Sequence, residues 1–303
     1  MSHPAARRAV PKDAVAIAGA GKVAQALGRL LAEKGVAVTA VGGRNAAHAR
    51  NAASFIGRGT RPASLAELPA FAERILIAVS DRAVAEVAAI LAAAGMKSGI
   101  AVHTCGSMGA GALAPLAEAG VAVGAFHPLQ TFSSPAQGLG SLPGCVFAVD
   151  GDAPALAWAE QIARLLGGKT VLVPPEKRAL YHAAAVMSGN YVISMLDAAA
   201  MLMSAAGFEK RLARQALGPL VETSVQNALR EGAAKALSGP VQRGDLETVA
   251  RHLEALKVAP ESVRRLYCAA GLHTVRLAVR GGLAPERARE LEALFLNSGI
   301  ENV

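Results

Sequence analysis

The 303-residue sequence predicts an α/β domain with a mostly parallel, doubly wound sheet, followed by an all-helical domain. Three observations carry that prediction. Short apolar runs alternate with alanine-rich helical stretches through the first half, the pattern of strands covered by helices on both faces. The alternation stops at Pro174-Pro175, after which only helical patterns follow. A glycine-rich turn, Gly19-Ala20-Gly21-Lys22-Val23-Ala24, joins the first strand to the first helix.

The elements follow in order. Strands are expected at residues 15–18, 36–41, 74–79, 100–104, 121–125, 146–149 and 170–173. Helices are expected at residues 23–34, stopped by Gly35, at 83–94, and at 153–166, stopped by Gly167-Gly168. Pro175-Glu176 suits a helix start, because Pro is tolerated in the first turn and an acidic side chain matches the dipole. One helix is expected from there to residue 206, with Gly207 as its stop. Further helices are expected at 209–230, from an Asp245 cap to about residue 256, and from Pro260-Glu261 and Pro285-Glu286. The reading gives a loose tail at 1–13, a nucleotide-binding domain at 14–174, and a helical substrate and dimerisation domain at 175–303.

Composition narrows the function classes. Apolar residues make up 52% of the chain, enough for a large core, and no stretch is read as approaching the ~18–20 uncharged residues of a membrane span. The tail carries Arg7, Arg8 and Lys12 with no apolar region behind them, so it does not read as a signal peptide. Cys105, Cys145 and Cys268 lie far apart, which argues against a disulfide framework or a structural zinc site and fits a reducing cytoplasm. The net charge of +8 comes from arginines scattered along helices, and aromatic residues are only 4%, so a nucleic-acid surface is disfavoured.

The turn after the first strand is the dinucleotide-binding fingerprint of a Rossmann fold. Gly19 makes the turn, Gly21 lets the backbone approach a pyrophosphate, and Ala24 allows close helix–strand packing; the helix N-terminus faces the negative charge. The second strand ends at Gly42-Gly43-Arg44-Asn45 with no carboxylate for ribose hydroxyls. Arg44 offers a forked partner to a 2′-phosphate, so NADP(H) is preferred over NAD(H). Gly43 and Asn45 flank it. Ser80-Asp81 and His103 stand at later strand ends, where the rest of the cofactor would pass, although Asp81 reads equally well as a helix cap.

Two loops and one helix carry the remaining polar chemistry. His103-Thr104-Cys105-Gly106-Ser107 and Phe126-His127-Pro128-Leu129-Gln130-Thr131-Phe132 each follow a strand, and ligands of open parallel sheets lie beyond carboxyl ends. The helix after Pro175 carries Lys177, Tyr181, His182, Ser188 and Asn190 on an otherwise apolar background. Buried polar groups need partners, and a bound substrate is one, hydrogen bonds within the protein another. Arg243 is suited to gripping a carboxylate, while Asp245 reads as a helix cap.

These residues together resemble the 6-phosphogluconate dehydrogenase-like superfamily, which includes pyrroline-5-carboxylate reductase, ketopantoate reductase and prephenate dehydrogenase. Phe126-His127-Pro128 is similar to the His-Pro segment of prephenate dehydrogenases, and Met187-Ser188-Gly189-Asn190-Tyr191 to the substrate loop of pyrroline-5-carboxylate reductases. The blocks 126–132, 181–186 and 238–245 resemble a bacterial family that pairs a Rossmann-like domain with a helical domain of unassigned function. The resemblance implies a homodimer through the helical domain and a small 2-keto acid, such as ketopantoate, as substrate. Gly189 replaces the second His of the prephenate pattern, which counts against prephenate. Tyr181 replaces the Asn of a Lys-x-x-x-Asn pair, so the proton donor stays open among His182, Lys177 and Tyr181. Ser188 and Asn190 are expected to bind the reacting group, and His127, Gln130 and Arg243 the substrate. The leading expectation is an NADP(H)-dependent reductase of a carbonyl or imine. The alternative is a non-catalytic NAD(P)-binding sensor or scaffold.

Overall fold

The computed structural model describes residues 13–299; of the expected N-terminal tail, only Asp13 falls among them. Asp13 pairs with Arg74 at 2.7 Å.

Eight strands form one sheet in the order β3-β2-β1-β4-β5-β6-β7-β8. They are β1 Val15–Ala18, β2 Val38–Gly42, β3 Arg61–Ala63, β4 Arg74–Ile77, β5 Ile100–His103, β6 Ala122–Pro128, β7 Val146–Gly151 and β8 Lys169–Leu172. All neighbours pair in parallel except β6 and β7. Strand β3 was not expected from the sequence. It is three residues long, centred on Pro62, and pairs only with β2 at the sheet edge. That is where a residue without an N–H is tolerated.

Every residue of β1 is buried, because helices cover both faces. Val15 and Ile17 enter the core on one face with Leu27, Phe126 and Trp158. Ala16 and Ala18 enter the core on the other with Ile75 and Leu91. The helices of this part are α1 Lys22–Glu33, α2 Ala46–Ile56, α3 Val84–Ala93, α4 Ala114–Glu118, α5 Pro135–Ser141, α6 Ala153–Leu165 and α7 Arg178–Ser188.

The remaining helices are α8 Asn190–Ala205, α9 Lys210–Glu231, α10 Ala233–Ala236, α11 Pro240–Arg243, α12 Leu246–Ala255, α13 Glu261–Arg280 and α14 Pro285–Gly299. Val249, Leu253, Cys268, Val275, Leu291 and Phe295 build their core. Asp245 caps α12, its Oδ1 accepting from the Thr248 N–H at 3.0 Å. Among the described residues no strand follows Pro174.

Two further features depart from the sequence reading. The single helix expected over residues 175–206 is a 3-10 turn at Pro175–Lys177, then α7, then α8, with the break at Gly189. The chain divides into compact units at Gly189/Asn190, so α7 belongs with the sheet, past the Pro174 change of pattern. Secondly, Pro175–Ala205 is long enough, and an 18-residue stretch within it apolar enough at a mean hydropathy of 1.3, to cross a membrane by length and composition. The run Ala179–Leu196 contains no Asp, Glu, Lys or Arg, which corrects the expectation that no such stretch exists.

Candidate active site

The carboxyl end of β1 turns into α1 through Gly19-Ala20-Gly21. Gly19 has φ +122°, and a Cβ there would lie 2.7 Å from the Ala78 carbonyl carbon and closer still to its oxygen. A side chain is therefore excluded on both conformational and steric grounds. Gly21 is different: it precedes α1 with φ −81°, and a Cβ there would meet nothing within 4 Å. Its side opens into space, and no side chain caps the α1 N-terminus. Ala24 is fully buried and serves the packing beneath.

That space is a cleft of about 670 Å³ lined by the Gly19–Val23 backbone turn, Gly43-Arg44-Asn45, Ser80 and, at another part of its wall, Thr104 and Phe132. Lys22 and Arg44 are exposed, and neither makes an ion pair among the described residues. Asn45 has a structural task as well, since its Oδ1 accepts from the Ala47 and His48 N–H groups and caps α2. The unfilled room at Gly21, the uncapped helix end and two free cations fit an anionic dinucleotide with an extra phosphate near Arg44.

Besides the buried Ala24, two of the expected cofactor residues do not line the cleft. His103 is fully buried: its Nδ1 accepts from the Cys105 N–H at 3.1 Å, so its Nε2–H donates to the Gly109 carbonyl at 3.0 Å. Burial holds its pKa below the usual imidazole value, and the residue shapes the 103–110 loop. Asp81 accepts from the Ser107 hydroxyl at 2.9 Å and ties the same loop to the end of β4.

Thr104 and Phe132 are the ends of two loops that lead to a histidine cluster. His127, near the end of β6, shares a 2.7 Å hydrogen bond between its Nδ1 and the Tyr181 hydroxyl on α7. The His182 ring stands edge-on to His127, with centroids 6.1 Å apart. Both histidines close on Gly106, where a Cβ would lie 2.7 Å from His182 Cδ2 and 2.8 Å from His127 Nε2. Burial, first, and then the neighbouring His182 and Arg178 push the His127 pKa down to about 4. The ring is thus neutral at pH 7. Burial raises the Tyr181 pKa while Arg178 opposes that rise, so the phenol keeps its proton; in the tautomer we assign it is the donor to His127 Nδ1. His127 Nε2 then carries the hydrogen.

The other expected residues lie at the surface. Lys177 is exposed at the end of the 3-10 turn. Ser188 is exposed and donates back to the Ala184 carbonyl at 2.9 Å. Asn190 is exposed at the start of α8, and Arg243 is exposed at the end of α11. Gln130 is exposed too, its amide donating to the Ser141 carbonyl at 3.1 Å.

Sequence reasoning missed Arg178 and Asp150. Arg178 is 1% exposed and lies 3.6 Å from Asp150, through Nε and Oδ2. An Arg in the first turn of a helix reads as a surface residue; its partner on a distant strand leaves no mark in local spacing.

A Rossmann-like domain family matches residues 2–128, and a domain of unknown function, DUF2520, matches residues 145–274. Curated proteins give no match. Solved structures do. A Bacteroides fragilis protein provisionally named an NADP oxidoreductase is 23% identical, with a TM-score of 0.69, over 93% of this chain and 98% of its own. A Thermotoga maritima protein is 22% identical with a TM-score of 0.60, over 81% of this chain and 91% of its own. A reductive aminase from Aspergillus terreus, in complex with NADPH and ethyl-5-oxohexanoate, is 17% identical with a TM-score of 0.58, over 96% and 97%. At these identities the likeness is one of fold. The two family matches thus stand side by side in one chain, a Rossmann-like domain followed by DUF2520.

Proposed function

We propose that this protein is an NADP(H)-dependent oxidoreductase that reduces the carbonyl or imine of a small, carboxylate-bearing substrate. One observation carries the reading: the cleft over Gly21 and Arg44 is walled by Thr104 and Phe132, whose loops hold Gly106 and His127 beside Tyr181. A nucleotide-binding scaffold needs the first half of that arrangement and has no use for the second. The fold shared with a reductase that takes NADPH supports it.

A bound nicotinamide supplies the hydride. The chain's own residues supply the proton: neutral His127 offers Nε2–H toward the Gly106 face, and the Tyr181 hydroxyl refills Nδ1 across their 2.7 Å bond. His182 borders the same face. Gly106 lets both imidazoles pack against its backbone, because any side chain there would collide with them. Arg243 is our candidate for the substrate carboxylate, since its fork matches that group; Lys177, Ser188 and Asn190 remain candidates for substrate contact. A 2-keto acid such as ketopantoate is one substrate within this class.

We also propose a cytoplasmic homodimer. Helix α8 has no buried residue, and Tyr191 and Met195 on one side and Ile193 on the other are exposed; a second copy packed around this apolar helix accounts for it. Three free cysteines fit a reducing compartment.

The test is single-turnover NADPH oxidation with a panel of 2-keto acids and cyclic imines. At least one is expected to consume NADPH, and Y181F to slow that step about 10²-fold or more while NADPH binding is unchanged. Intact NADPH binding with no oxidation by any acid or imine sinks the reductase reading.

A further inference from the structure

We propose that Arg178 is a positioning residue for the Tyr181–His127 pair, a buried guanidinium that anchors the first turn of α7 to β7 and sets a fixed positive charge behind the pair. The proposal rests on the reading of His127 and Tyr181 as the proton-supplying pair.

The geometry comes first. Arg178 Nη2 donates to the Ala148 carbonyl at 3.4 Å, and Ala148 is the residue that pairs with His127 across β6 and β7. Its Nε lies 3.6 Å from Asp150 Oδ2, and that carboxylate also accepts from the Ala110 N–H at 2.9 Å. Arg178 therefore grips the strand beside His127, and Tyr181 lies one helical turn further on, where it bonds His127 itself. The two contacts together fix both the height and the rotation of α7 against β6.

Stability alone accounts poorly for this group. Nε and Nη1 find no hydrogen-bond acceptor among the described residues, although Arg178 is 1% exposed. A partly satisfied buried cation costs more than an apolar side chain of the same shape. What the charge does instead is act on its neighbours. His127 is faced by Tyr181 and His182 from α7, by His103 from β5, by Asp81 from the end of β4, and by Arg178. Of these, Arg178 opposes protonation of His127 and favours release of the Tyr181 proton. The first favours release of a proton from His127, and the second eases replacement of that proton from Tyr181.

The experiment is an NMR titration of His127 in the full chain, assigned by difference with H127Q. In the wild type His127 is expected to titrate near 4. In R178M it is expected to rise by about one unit, as one buried cation is removed. In R178K, which keeps the charge, it stays near the wild-type value. R178M leaves Asp150 unpaired, so the double variant D150N/R178M, with no buried charge, carries the same expectation if R178M does not fold. A wild-type His127 titrating at about 6.5, an unmoved value in the Arg-less variant, or an equal rise in R178K overturns the proposal. No substrate or cofactor enters this measurement, so its failure is separable from failure of the reductase reading, which the NADPH assay alone decides. NADPH affinity should be unchanged in all three variants, because Arg178 does not line the cleft.

Discussion

Gly19 and Gly21 sit two residues apart in one turn, yet adding a methyl group to each should break different things. At Gly19 a Cβ would fall on the Ala78 carbonyl, and φ is +122°. The backbone there is held from both sides: the Gly19 N–H donates to the Gly42 carbonyl at 2.7 Å, and the Ala78 N–H donates to the Ala18 carbonyl at 2.7 Å. G19A must splay β1 from β4 or distort that turn. Strain of this kind costs about 1–3 kcal/mol, and loss of one strand bond adds about 1 kcal/mol. For a unit of this size the sum, about 2–4 kcal/mol, lowers Tm by about 5–15 °C. At Gly21 a Cβ meets nothing and φ is ordinary. G21A should fold with no more than about 1 kcal/mol of change, the cost of Ala at a helix N-cap. Its methyl group, however, occupies the space in which a pyrophosphate would meet the helix end. Losing one or two charge-assisted hydrogen bonds, at about 1.5–3 kcal/mol each, weakens NADPH binding about 10-fold or more. Thermal melts and calorimetric NADPH titrations of both variants read the two effects separately. If G21A binds NADPH as the wild type does, no dinucleotide approaches this turn. If G19A melts with the wild type, the contact with Ala78 is not as described.

Three further predictions follow from other parts of the molecule. R44D is expected to weaken NADPH binding about 10-fold or more while leaving NADH binding nearly unchanged, read by parallel titrations; equal losses would remove the preference for the 2′-phosphate. His127 is held at about 4 in the folded chain against about 6.5 when unfolded. The unfolded chain then binds more protons between those values, so stability is full above pH 6.5 and falls as pH drops toward 4. The fall is about 3 kcal/mol, and denaturant midpoints across that window should show less of it in H127Q. On α8, I193E is expected to convert a dimer to a monomer with the secondary structure retained, measured by light scattering and circular dichroism; an unchanged mass places the dimer elsewhere or removes it.

Much of the sheet was legible because the strands are buried on both faces and therefore read as short apolar runs between glycine stops. The strand centred on Pro62 was not, since a proline argues against a strand wherever its position in the sheet is unknown. The cofactor cradle was legible because turn chemistry is local: Gly19, Gly21 and the helix start are contiguous. The pairing of His127 with Tyr181 joins residues far apart in sequence, and only their residue types gave any hint. The same holds for Arg178 and Asp150. Local pattern also hid the break at Gly189, because Ala, Val and Met continue on both sides of it.

The antiparallel strand β7 decides from which side the chain reaches the histidine cluster. Strands β1 to β6 all point their carboxyl ends toward the cleft, but β7 runs back and β8 follows it. Strand β8 ends at Leu172, level with Val149 and so with Phe126, and the chain leaves the sheet close to the height of His127. Helix α7 follows beside β7, with Arg178 gripping at Ala148 and Tyr181 arriving at His127, the residue paired with Ala148. The segment between Leu172 and Tyr181 thus works as a ruler whose length is set by where the two reversed strands end. One residue inserted or deleted there would rotate α7 by about 100° and turn Tyr181 away from His127, leaving the cleft over Gly21 untouched.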